Sequence, residues 1–121
     1  MSRVKDILVM RKLDNLYESR LQEALHALSN RHRLTILIWL TEPEKHFPAQ
    51  RDADLVKDGV CVGFITEKIG LSQPTVTTHM QALAKAELVT SKKIKNWVYY
   101  KPNGPMIDRL LGDMDRALRR T

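Results

Sequence analysis

The chain has 121 residues, 43% hydrophobic and 28% charged, the make-up of one ordinary globular domain and not of a disordered chain. Aromatic residues are sparse at 6%, so the core has to be built from aliphatic side chains, which favours helices over a β-sandwich. Lys and Arg number 20 against 14 Asp and Glu, a formal charge of +6 that suits a polyanionic partner, and the one cysteine, Cys61, excludes an internal disulfide and a cysteine-rich zinc module. No apolar run approaches the roughly 20 residues of a membrane span, and the opening Met-Ser-Arg-Val-Lys-Asp lacks a secretory pattern. A cytoplasmic protein without a membrane partner is expected.

Val4, Ile7, Leu8, Leu13, Leu16, Tyr17, Leu21, Ala24, Leu25 and Leu28 recur mostly at steps of three and four, which predicts an amphipathic helix over about residues 4–28. The longer step from Leu8 to Leu13 admits a kink or two shorter helices. Ser29 and Asn30 read as a stop and a fresh N-cap. Leu34, Ile36, Leu37, Ile38 and Leu40 then make a short helix that is apolar nearly all round and belongs in the core. Pro43 to Gly59 has two prolines, mixed charges and few large apolar residues. It reads as a functional or mobile loop, with a short helix conceivable around Ala49 to Val56.

Val62, Ile65 and Ile69 form a helix that ends at Gly70, which suits a left-handed cap. Ser72 caps the next helix, Pro74 fits its first turn, and Val76, Met80 and Leu83 share its inward face up to about Ala86. Leu88 to Thr90 and Trp97 to Tyr100 have strand character, with Ser91 to Asn96 as a charged hairpin tip between them. Asn103 caps a last helix over about residues 103–119, carrying Met106, Ile107, Leu110, Leu111, Met114, Ala117 and Leu118.

Two short helices joined through Gly70-Leu71-Ser72 and followed by a basic hairpin make a winged helix-turn-helix, with the helix-turn-helix at about 62–86 and the wing at about 88–101. The expected fold is mainly α with a small β-hairpin wing: about five helices and a two-stranded wing, in a dimer. Thr75, Thr77, Thr78, Gln81 and Lys85 project from or flank the inward face of the second helix, and Thr and Gln hydrogen-bond base edges and phosphates. No acid occurs between Ser72 and Ala86, and from Ser72 to Lys101 five lysines (85, 92, 93, 95, 101) stand against Glu87 alone. The combination points to double-stranded DNA, with Lys92, Lys93 and Lys95 as wing contacts. The alternative is a winged-helix module for a protein partner, against which the wing lysines and acid-free helix argue.

Ala27-Leu28-Ser29-Asn30-Arg31-His32-Arg33-Leu34-Thr35-Ile36-Leu37 resembles the opening helix pair of ArsR/SmtB-family repressors. Gly70-Leu71-Ser72-Gln73-Pro74-Thr75-Val76-Thr77-Thr78-His79-Met80 is similar to that family's recognition helix. Ala86-Glu87-Leu88-Val89 and Trp97-Val98-Tyr99-Tyr100 resemble its step into the wing and its returning wing strand, so the likeness spans about residues 13–118. It implies a homodimeric winged-helix transcriptional repressor on a palindromic operator, released by an effector. It assigns Ser72, Gln73, Thr75, Thr77, Thr78 and His79 to the DNA face.

The family's arsenic and cadmium sensors carry Cys-Val-Cys and an acid before the recognition helix. This chain has Cys61-Val62-Gly63-Phe64. The last helix offers Asp108, Asp113 and Asp115 but no His or Cys, and His26, His32, His46 and His79 share no ligand spacing. No metal site and no cofactor is therefore expected. Cys61 is the candidate redox or effector sensor, and an apolar pocket near the Pro43 to Gly59 loop is the alternative route for a small-molecule effector. The apolar stripes at the two ends exceed what one subunit covers, which predicts a dimer interface of Leu8, Leu13, Leu16, Ile107, Leu110, Leu111 and Met114. No Gly-rich phosphate loop and no Ser/His/acid grouping suggests an enzyme. Asp52, Asp54 and Asp58 read as loop solvation.

Overall fold

The computed structural model describes residues 2–119. Helix α1 (Ser2–Leu28) is one uninterrupted helix. The kink admitted at Leu8 to Leu13 does not occur, since the segment holds no Pro or Gly to break it. Only its second half packs on the rest of the chain: Ala24 and Ala27 are buried, while residues 3–16 are all exposed. Helix α2 (Arg31–Thr41) starts where Asn30 caps it, the Asn30 side-chain oxygen accepting from the backbone of His32 and Arg33 at 3.0 and 3.2 Å. A single turn, α3 (Pro43–His46), follows.

No helix forms over residues 49–56. Asp54 takes the local donors instead: its carboxylate accepts from the backbone of Val56 and Lys57 at 2.9 and 2.7 Å, a side-chain-closed turn that competes with helix. The segment ends at Gly59, whose φ of +103° and contact with β3 leave no room for a side chain; a Cβ there would lie 2.5 Å from the Tyr100 carbonyl oxygen. That close approach starts β1 (Val60–Cys61), which leads into α4 (Val62–Ile69). Gly70 closes α4 at φ +76°, and Ser72 opens α5 (Gln73–Lys85) by accepting from the Thr75 backbone.

Strands β2 (Val89–Ile94) and β3 (Trp97–Pro102) pair antiparallel, with Ile94 opposite Trp97. The hairpin tip is thus Lys95-Asn96 and not Ser91 to Asn96, and Lys92 and Lys93 lie on the strand with side chains to opposite faces. β1 adds a third strand, Val60 opposite Tyr100 and Cys61 opposite Tyr99, giving the order β1-β3-β2. Helix α6 (Gly104–Leu118) is capped by Asn103. The structure is thus the expected mainly α winged helix-turn-helix, with six helices and three strands among the described residues where five and two were anticipated.

Ile36, Leu40, Val60, Ile65, Val76, Met80, Leu83 and Leu88 form the fully buried centre, joining α2, α4, α5 and the sheet. Helix α6 docks on α1 through a polar bolt. Buried Asp113 accepts from Arg20 at 3.0 Å and Arg116 at 3.1 Å, and its backbone carbonyl accepts from the Tyr17 hydroxyl at 2.6 Å. Leu110 faces the same way and is buried in its own subunit's core. Its place in an intersubunit stripe is corrected accordingly.

Candidate nucleic-acid interface

Helix α5 buries Val76, Met80 and Leu83 and turns its other face outward, because the three apolar positions share one helical stripe. Ser72, Gln73, Thr75, Thr78 and Gln81 are exposed and Thr77 is half-buried. Several hydroxyls already have partners. Ser72 and Thr75 share a hydrogen bond of 2.8 Å, and Thr78 donates to the Pro74 carbonyl at 3.0 Å. Gln73 and Gln81 keep complete side-chain amides for a ligand, since no hydrogen bond engages them among the described residues.

His79 departs from the DNA-facing role that the resemblance implied. It is half-buried against α2, its ring 5.7 Å from that of His32, and the Arg33 guanidinium donates to its Nδ1 at 3.2 Å. Arginine can only donate, so Nδ1 is the acceptor and the proton of the neutral ring sits on Nε2. Desolvation, then the Arg33 and His32 charges, hold its pKa below the ordinary histidine value. Arg33 also donates to the Ala27 carbonyl at 2.6 Å, tying α1, α2 and α5 together at one point.

The wing lysines are exposed, but two of the three have partners. Lys92 contacts the Asp58 carboxylate at 2.7 Å and Lys95 contacts Asp52 at 3.0 Å, while Lys101 donates to the Lys57 carbonyl at 3.0 Å. Residues 47–59 thus form a strap along the wing, anchored by three lysines. Its Asp52 and Asp58 carboxylates are ion-pair partners, which a local reading as loop solvation missed. Lys93 has no such partner among the described residues and is the wing cation most available to phosphate.

Cys61 is buried at the start of α4, its backbone N–H donating to the Gln50 side-chain oxygen at 2.8 Å, so the thiol is not presented to bulk solvent. Among the described residues no three His, Cys, Asp or Glu side chains gather at metal-holding distance. A lone buried thiol does not fit the thiolate metal centre of the family's sensors. The end helices present Leu8, Leu13, Leu16, Leu111 and Leu118 outward, whereas Ile107 and Met114 are partly covered by their own core. No described helix is long and apolar enough to cross a membrane.

No family model matches the chain. An uncharacterised HTH-type transcriptional regulator of Bacillus subtilis, YbzH, is 39% identical over 88 residues, which is 73% of this chain and 88% of that protein. An arsenical resistance operon repressor of Staphylococcus aureus is 33% identical over 63 residues, 51% of this chain and 61% of the repressor. Among solved structures, the homodimeric winged helix-turn-helix DNA-binding domain of Mb0332 from Mycobacterium bovis, described as a possible ArsR-family regulator, superposes with a TM-score of 0.60. It is 23% identical and the match covers 90% of this chain and 89% of that one, so it bears on the fold.

Proposed function

Because this chain belongs to the ArsR-like winged helix-turn-helix transcriptional regulators, a non-enzymatic family, we propose that it acts as a homodimeric repressor of a palindromic operator, released by an effector. The observation that carries this reading is the exposed, acid-free face of α5 beside a lysine-bearing wing. Gln73, Thr77 and Gln81 read base edges, Ser72, Thr75 and Thr78 shape and line that surface, and Lys93 contacts phosphate. The uncovered apolar residues of α1 and α6 support the dimer. Leu8, Leu13, Leu16 and Leu111 are the contacts, with Ile107 and Met114 beneath them. A two-fold axis there sets two α5 helices about one DNA turn, roughly 34 Å, apart.

The test is selection of bound fragments from genomic DNA, followed by titration of variants on the selected operator and on random DNA. Gln73→Ala is expected to lose about 1–3 kcal/mol on the operator and little on random DNA. Lys93→Ala is expected to weaken both alike. Leu16→Asp with Leu111→Asp is expected to give monomers by sedimentation and to lose operator binding. If the two DNA-face variants behave alike, or if the wild type sediments as a monomer at micromolar concentration, the reading is overturned.

A further inference from the structure

On β3 the side chains alternate, Val98 and Tyr100 packing into the core and Trp97 and Tyr99 facing out. An outward tyrosine on a wing is ordinarily wet, yet Tyr99 is only 4% exposed because the strap closes over it. Between strap, wing and α4 lies a cavity of about 380 Å³, lined by Cys61, Gly63, Phe64, Trp97 and Tyr99, with Arg51 and Glu67 among its polar residues.

The Tyr99 side chain is almost wholly buried, yet its hydroxyl oxygen keeps contact with solvent and makes no hydrogen bond to the described residues. A ligand in the cavity can take that donor over from water. The nearby polar groups are committed elsewhere. Gln50 accepts from the Cys61 N–H and donates to the Gly59 carbonyl, and Asp52 holds Lys95. Burial, and the Cys61 thiol beside it, push the Tyr99 phenol up, so it stays a donor at neutral pH. Of the charged lining residues, Arg51 and Glu67 are opposite in sign, and Asp52 is neutralised by Lys95, which lies outside the lining, so the site favours no net charge.

We propose that this cavity binds an uncharged, planar aromatic molecule carrying a hydrogen-bond acceptor, its ring against Trp97 and Phe64 and its acceptor on the Tyr99 hydroxyl. The volume lies in the range of small-molecule pockets. A link to regulation rests on the effector reading above, because two walls belong to the strap and the wing. The binding site itself does not depend on that reading.

The test uses the full chain and 2-acetylnaphthalene as the probe, followed by the Trp97 indole N–H in ¹H–¹⁵N spectra, with 2-naphthoate and 2-naphthylmethylammonium as charged analogues. The probe is expected to shift the Trp97 signal saturably and to bind at least tenfold more tightly than either charged analogue. Tyr99→Phe removes one hydroxyl and is expected to weaken binding about fivefold. Gly63→Leu fills the cavity and is expected to abolish binding. A Cβ at Gly63 makes only ordinary contacts, 3.8 Å to the Cys61 sulfur and to Trp97. Should Gly63→Leu fail to fold, Tyr99→Phe decides by the same measurement, and Trp97→Ala, expected to weaken binding, is read from the backbone amide signals of Gly63 and Phe64. No saturable shift, equal affinity in Tyr99→Phe, or equal affinity for a charged analogue overturns the site. Binding that leaves operator affinity unchanged keeps the site and overturns its role as the effector site.

Discussion

Replacing Asp52 and Asp58 together by Asn is expected to make DNA binding tighter at low salt and much more salt-sensitive. In the wild type each carboxylate holds one wing lysine, Asp58 with Lys92 at 2.7 Å and Asp52 with Lys95 at 3.0 Å. Asp58 is the firmer pair, since the Lys92 ammonium and the Asp54 backbone N–H hold its carboxyl below the usual carboxylate range. Asn keeps an oxygen for that N–H and loses only the charge, so the turn should survive. These are exposed pairs, which contribute little to stability, and the variant should fold. Each lysine freed for phosphate steepens the dependence of log affinity on log salt by about 0.9. Two per subunit, four in the proposed dimer, steepen it by about 3.6. Across a rise from about 50 to 200 mM KCl that is an additional loss of roughly 100-fold relative to the wild type. Fluorescence anisotropy on the selected operator at several salt concentrations reads the slope directly. An unchanged slope would mean that the wing lysines do not reach phosphate. A shallower slope with weaker binding would mean that the strap acids hold the wing in its binding position.

Arg20→Ala leaves buried Asp113 with Arg116 as its remaining cation and is expected to cost about 1–3 kcal/mol in urea unfolding, discounted because Arg20 is itself part-exposed; an unchanged midpoint would show that the bolt between α1 and α6 bears no load. Gly59→Ala combines a φ of +103° with a Cβ 2.5 Å from the Tyr100 carbonyl oxygen, and should lower stability by about 2–4 kcal/mol, measured as the melting temperature. For His79 the folded-state pKa is depressed, so the unfolded chain takes the proton first as the pH falls through the ordinary histidine range. Stability should therefore decline between about pH 7 and pH 5, and His79→Gln should remove part of that slope; a variant with the wild-type profile would contradict the placement against Arg33.

What was legible in the sequence was local chemistry. Asn30, Ser72 and Asn103 each cap a helix by bonding to a backbone N–H two or three residues on, and Gly70 supplies a left-handed end, so three residues of context suffice. The inward stripe of α5 was legible because one face of a helix repeats at a fixed step. The pairing of Lys92 with Asp58 and of Lys95 with Asp52 joins residues 34 and 43 positions apart, and no periodicity encodes it. β1 is two residues long, too short to show an alternation, and exists because Gly59 lets the chain press against β3. His79 was placed on the DNA face by resemblance and Leu110 in the dimer stripe by spacing, whereas α2 packs against the first and α1 covers the second, contacts only the assembled helices reveal. A tyrosine on the outer face of a wing strand was the one available hint that another segment crosses there.

The 27 residues of α1 amount to about 40 Å of helix, and residues 3–16, with Val4, Leu8, Leu13 and Leu16 among them, are all exposed. A helical stretch of that length without tertiary contacts is marginal in water, because backbone hydrogen bonds barely repay the entropy of ordering it. Its first turns are therefore secured only when another apolar surface arrives. In the proposed dimer, helix length and association become one equilibrium, governed by mass action. A dilute sample should lose ellipticity at 222 nm before its compact centre melts, and a concentrated one should regain it. On that proposal, helicity depends on how many copies are present, and the chain carries a measure of its own abundance in its first turns.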